Sequence, residues 1–182
     1  MKCKPRSATR EYLLKFISYD PETGVFTWQE RQKEDFKTEN FRVRWNQRNA
    51  GKPAGWPLLN GYWCIDLRGE RYPAHRLAWF LHYGYWPEND VDHINNQRQD
   101  NRIANLREAT RSQNLQNASI RSNNTSGHKN VSYRKDTGKW TVRMWKFKVK
   151  YLSIGSFDTL EEAITAATKA REELYKEFAN HG

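Results

Sequence analysis

The chain has 182 residues, with 31 Lys and Arg against 21 Asp and Glu, a formal net charge of +10. Aromatic side chains make up 14% of it and eight are Trp, a content that disordered basic tails lack. No apolar stretch reaches the roughly 18 residues of a membrane span, the basic N-terminus has no apolar core of a secretory signal, and Cys3 and Cys64 form no CxxC pair. These features exclude zinc ribbons and disulfide scaffolds and point to a soluble, intracellular protein with a polyanionic partner.

In chain order, Leu13, Leu14, Phe16 and Ile17 fall near one helical face, so the spacing predicts a helix over 9–19. DPETG (20–24) reads as a turn and VFTW (25–28) as a strand. Residues 29–57 are polar with scattered aromatics, and GKPAGWP (51–57) reads as loop. YWCIDL, RGER and YPAH form a hairpin pattern. HRLAWFLHYG (75–84) reads as an amphipathic helix closed by Gly84, with Trp79, Phe80 and Trp86 as core.

A second half begins after SIRSNNTSGHK (119–129), whose Ser/Asn-rich composition marks a linker and places a domain boundary near Asn124. Val131–Lys135 reads as a strand, DTGK as a turn, and Lys139–Lys150 alternates as a second strand. YLSIGSF (151–157) supplies a third. Thr159 with Glu162 forms a capping box that opens a helix through about Phe178. Residues 121–157 carry nine basic residues and one acid, a net +8 interleaved with aromatics, the pattern of a nucleic-acid surface.

The segment VDHINNQRQDNRIANLREATRSQNLQN (91–117) carries the chemistry. Asp92 and His93 are adjacent, Asn105 follows the His by twelve residues, and Asn114 lies nine further on, across two short strands and a helix from about Thr110. A His of ordinary pKa near 6.5 can accept a proton at neutral pH. A carboxylate and an amide are oxygen ligands suited to a hard cation such as Mg²⁺ or Mn²⁺. Strand alternation sends Asp92 and His93 to opposite sides of the strand.

This segment, from residue 72 to 117, resembles the HNH family of endonucleases, and more narrowly the phage-encoded subfamily in which the last His is Asn. The stretch from LLKFISYDPETGVFTW onward is similar to that subfamily's N-terminal part. The resemblance implies a ββα-metal core with His93 as the general base, Asp92 and Asn114 as the ligands of a divalent cation (Mg²⁺ or Mn²⁺), and Asn105 as the residue that holds the hairpin and the base in place. Asn101 is a weaker candidate for a structural role. His75 matches a recurrent His of the family, with a structural or phosphate-contact role and no part in metal binding.

VSYRKDTGKWTVRM with YLSIGSFDTLEEAITAATKAREELY (about 128–179) resembles the APETALA/ethylene-response-factor type of DNA-binding domain, a three-stranded sheet laid in the major groove and backed by one helix. Parity assigns Trp140, Val142, Met144 and Ile154 to the helix side. Arg134, Thr141, Arg143, Trp145, Tyr151 and Ser153 then face double-stranded DNA, with Lys139, Lys148 and Lys150 on phosphates.

The expected fold class is therefore α+β: a small ββα nuclease domain with an N-terminal extension (1–124), then a three-stranded antiparallel sheet packed on one helix (125–182). The expected function is a metal-dependent DNA endonuclease of a phage homing or mobile-element kind, acting in the cytoplasm of an infected bacterium. A non-cleaving, sequence-specific DNA-binding regulator on the same scaffold is the alternative, and action on RNA a third reading.

Overall fold

The computed structural model describes residues 8–146 and 150–182, without the side chains of Lys146 and Lys150. The chain folds as two compact units, 1–108 and 109–182.

In the first unit, Thr9 accepts from Tyr12 N and caps a helix of only five residues, α1 (Arg10–Leu14). The helix expected through residue 19 stops there: Ile17–Tyr19 is strand β1, paired antiparallel with β2 (Phe26–Trp28), Ile17 opposite Trp28. Leu13, Phe16 and Ile17 are still all buried, because the chain turns into strand while following the same core. The helical period was a coincidence of burial. The turn between the strands needs Gly24, at φ 74°, where a Cβ would sit 2.5 Å from Arg102 N.

The polar stretch ahead of the GKPAGWP loop contains an eleven-residue helix, α2 (Glu39–Asn49), capped by Thr38. It has no buried residue and hence no apolar stripe for a sequence to display. Strands β3 (Trp56–Pro57), β4 (Trp63–Leu67) and β5 (Glu70–Pro73) form a sheet in that order, and Arg68 and Gly69 make the expected hairpin turn with positive φ at both positions. α3 (Ala74–Tyr83) buries Leu77, Ala78, Trp79, Phe80 and Leu81 and ends at Gly84, in the left-handed region. Trp86 stacks on Phe80 with ring centroids 4.2 Å apart. This core carries the two-stranded ribbon of β6 (Asp90–His93) and β7 (Leu106–Ala109).

In the second unit, α4 (Arg111–Asn117) opens with a reciprocal Thr110–Gln113 capping box. Seven residues make a marginal helix in isolation, and its last turn is held from outside. Lys129 Nζ donates to the carbonyls of Gln116 (3.1 Å) and Ala118 (2.6 Å), and Asn180 Nδ2 donates to that of Asn117 (2.9 Å). Arg171, itself buried, donates to the Lys129 carbonyl at 2.7 Å.

Strands β8 (Val131–Arg134), β9 (Lys139–Lys146) and β10 (Lys150–Phe157) form the three-stranded antiparallel sheet, with β9 central. It packs on α5 (Leu160–Tyr175), which begins at the Thr159–Glu162 capping box. Val131, Val142, Met144, Ala163 and Ala167 fill the interface. The small alanines let helix and sheet approach closely. Ile154 is an extra residue in β10, so Ser153 pairs with Arg143 and Gly155 with Val142. Gly155 leaves room for the Phe157 ring, which a Cβ would meet at 3.0 Å.

Candidate active site and nucleic-acid interface

β6 places Val91, Asp92 and His93 in succession, all buried. Asp92 and His93 have different neighbours, as alternation requires. Oδ2 of Asp92 accepts from Arg107 of β7, at 3.1 Å from Nε and 3.0 Å from NH2. The His93 ring lies 5.3 Å from that of His75 and 5.9 Å from that of Tyr62, centroid to centroid. Its Nε2 is 3.4 Å from Oδ1 of Asn101. In the tautomer that carries its proton on Nε2, His93 donates to this amide oxygen.

Burial pushes the His93 pKa down, and the hydrogen bond to Asn101 and the charge of Asp92 only partly oppose it. The imidazole is thus neutral, the form a base needs, at neutral pH. His75 is shifted down further, by burial first and then by His93 and Arg76. Its Nδ1 is sealed from solvent with no hydrogen-bond partner among the described residues. Arg98 covers the third member of this cluster, its guanidinium 5.1 Å from the Tyr62 ring centre.

Asn105 acts on the loop between the strands. Its Oδ1 accepts from Asn95 N at 3.0 Å, and its Nδ2 donates to Asn95 Oδ1 and to the Asp100 carbonyl, both at 2.9 Å. The Ile94 N–H also donates to the Asn105 carbonyl, so this one residue ties both ends of the loop to the ribbon. Asp100 is held by Arg102 and Asn95, which lower its pKa to about 2. Of the two asparagines, Asn101 is the one whose side chain reaches His93; it is itself buried and anchored by Tyr19, whose hydroxyl donates to the Asn101 carbonyl at 2.7 Å. The sequence supplied both asparagines, but not which one reaches the base. Arg107 was visible only as part of the NLR tripeptide. Its signal was its place on the strand paired with that of Asp92.

Asp92, His93, Asn101 and Asn105 lie in the first unit, while Asn114 lies on α4 in the second. Among the described residues no three His, Cys, Asp or Glu side chains cluster as a metal cage. The carboxylate of Asp92 and the amide oxygen of Asn114 are each the kind of donor that a hard cation takes.

On the sheet, Arg134, Arg143, Trp145, Tyr151 and Ser153 are exposed on the face away from α5. Trp145 and Tyr151 sit opposite each other, their rings 5.4 Å apart and near perpendicular. Arg134 forms a two-point pair with Asp136, and Lys139 pairs with Asp158 at 2.9 Å. Thr141 departs from the exposed position that parity suggested. It is 6% exposed, and its hydroxyl bonds to the Ser132 carbonyl (3.2 Å) and side chain (3.1 Å). Lys148 and the side chain of Lys150 lie outside the described residues.

The chain thus holds a two-stranded ribbon with Asp92 and His93 buried on one strand, a short helix after it, and a small sheet packed on one helix. Residues 72–116 match the HNH endonuclease family, and residues 126–177 match the AP2 domain, a DNA-binding domain. No curated protein and no solved structure matches the chain.

Proposed function

We propose that this protein is a metal-dependent endonuclease that hydrolyses phosphodiester bonds of double-stranded DNA. The observation that carries the reading is the buried Asp92–His93 pair within the HNH-matching segment, its imidazole kept neutral and oriented by Asn101. The neutral imidazole of His93 takes a proton from water. The water oxygen then bonds to phosphorus, and the bond to the leaving sugar oxygen breaks. Asp92 and Asn114 would hold Mg²⁺ or Mn²⁺, which supplies charge compensation at the phosphate and the leaving oxygen. Asn105 positions the loop that carries Asn101. His75 packs beside the base as a structural neighbour.

The exposed sheet face reads the duplex through Arg134, Arg143, Trp145, Tyr151 and Ser153, and Lys139, Lys148 and Lys150 reach phosphates. Thr141 acts from beneath, by fixing β8 to β9. The functional division runs near Asn124, between the two matched segments. A homing or mobile-element nuclease of phage, working in bacterial cytoplasm, is the setting we propose. The regulator reading draws on one observation, the hold of Arg107 on the carboxylate that a metal would need.

The test is cleavage of supercoiled plasmid with Mg²⁺, with Mn²⁺ and with EDTA, for wild type and His93→Ala. The wild type should cut only with metal. The variant should lose roughly 10²–10⁴-fold in rate with DNA affinity little changed. A wild type that binds a defined site tightly yet cuts with neither metal would establish the regulator.

A further inference from the structure

Helix α2 presents a surface that neither matched segment accounts for. Its inner side is fixed. Trp45 packs against Trp28 and Phe36, and the Arg31 guanidinium lies 4.5 Å from the centre of the Trp45 ring. Asn46 brackets the Arg31 backbone, accepting from its N–H and donating to its carbonyl, each at 3.0 Å. The single acid of the helix, Glu39, is engaged by Arg42.

The outer side is open. Phe41, Arg44 and Arg48, spaced three and four apart, fall on one stripe, and Gln47 flanks it. All four are exposed, Phe41 at 61%. The side chains of Arg44 and Arg48 make no hydrogen bond or ion pair with any described residue. Like charges four apart on a helix repel and weaken it, and nothing in the described chain offsets this pair. An anion would. Two planar guanidiniums one turn apart, with an aromatic ring at the same stripe, match the alternating phosphate and sugar of a nucleic-acid backbone.

We propose that the Phe41–Arg44–Arg48 stripe of α2 is a second contact surface for double-stranded DNA, separate from the three-stranded sheet. It rests on the reading of DNA as the partner and adds an anchor in the first unit. Arg44 and Arg48 bind phosphates, and Phe41 lies against sugar. The stripe carries affinity and adds no base-reading group.

The experiment measures binding of the full chain to one duplex in EDTA across a salt series, for wild type, Arg44→Ala/Arg48→Ala and Arg44→Lys/Arg48→Lys. The alanine pair should bind more weakly and lower the log–log salt slope by about 1.8, roughly 0.9 per phosphate contact. The lysine pair should keep most of the slope. Thermal stability of the alanine pair should stay level or rise, since a repulsive pair has gone. An unchanged slope overturns the proposal, as does a loss seen with single-stranded RNA and absent with duplex DNA. Because no metal is present, failure here is distinct from failure of the nuclease reading, which cleavage alone decides.

Discussion

Arg107 donates twice to one carboxylate oxygen of Asp92, and both side chains are largely buried, at 16% and 7% exposure. Breaking a buried ion pair from one side typically costs about 3–5 kcal/mol. Arg107→Ala should therefore melt well below wild type in EDTA. If Asp92 is a metal ligand, Mg²⁺ should return part of that stability, and more of it than Mg²⁺ adds to the wild type. Melting curves with and without Mg²⁺ check this, and equal metal shifts in both proteins would remove Asp92 from the ligand set.

Asn105 and Asn101 should separate by what their loss changes. Asn105→Ala strips three hydrogen bonds from the loop between β6 and β7 and leaves buried polar groups unpaired, a loss on the order of 2–4 kcal/mol. Asn101→Ala removes the contact to His93. It should lower the cleavage rate at saturating DNA with a smaller change in urea midpoint. The reverse ranking would return the orienting role to Asn105.

His75 and His93 give stability a pH dependence of known sign. Both have folded-state pKa values below the unfolded value of about 6.5, so the unfolded chain binds protons first. Their contribution is fully present above that pH and is lost as pH falls through it. Each histidine can add up to about 1.4 kcal/mol per pH unit in that range. Between pH 6.5 and 5, where carboxylates stay ionised, His75→Phe should reduce the slope of stability against pH. Urea midpoints across that range test it.

Lys129 should matter to chemistry as well as to folding. Its ammonium caps the last carbonyls of α4, the helix that carries Asn114. Lys129→Met should slow single-turnover cleavage at saturating DNA and raise the Mg²⁺ concentration needed for half-maximal rate, with Lys129→Arg restoring much of both. A variant weakened only in DNA binding would reduce Lys129 to a phosphate contact.

Elements that announce themselves locally were legible in the sequence. Gly84 closing α3, the Thr159–Glu162 box opening α5, and the alternation that buries Val142 and Met144 each depend on a few neighbouring residues. What failed depended on tertiary context. Ile17 satisfied a helical period but lies in a strand, paired with Trp28, and is buried in the core of the first unit. α2 has no apolar stripe because it is held by one tryptophan, a cation over its ring and an asparagine on a backbone. At the site, the pattern supplied the Asp, the His and both asparagines. The division of work between Asn101 and Asn105 was set by how the loop closes, and the Arg107–Asp92 pair by which strands meet.

The cap on α4 also limits how such a protein could be cut and recombined. A chimaera joined in the Ser/Asn-rich segment near Asn124 would leave Gln116, Asn117 and Ala118 on one parent and their partners Lys129 and Asn180 on the other. The segment that matches the AP2 domain is thus not freely exchangeable at its most obvious seam. A donor sequence must bring a lysine and an asparagine to these places, or the crossover must move upstream of Thr110 so that the helix travels with the residues that cap it.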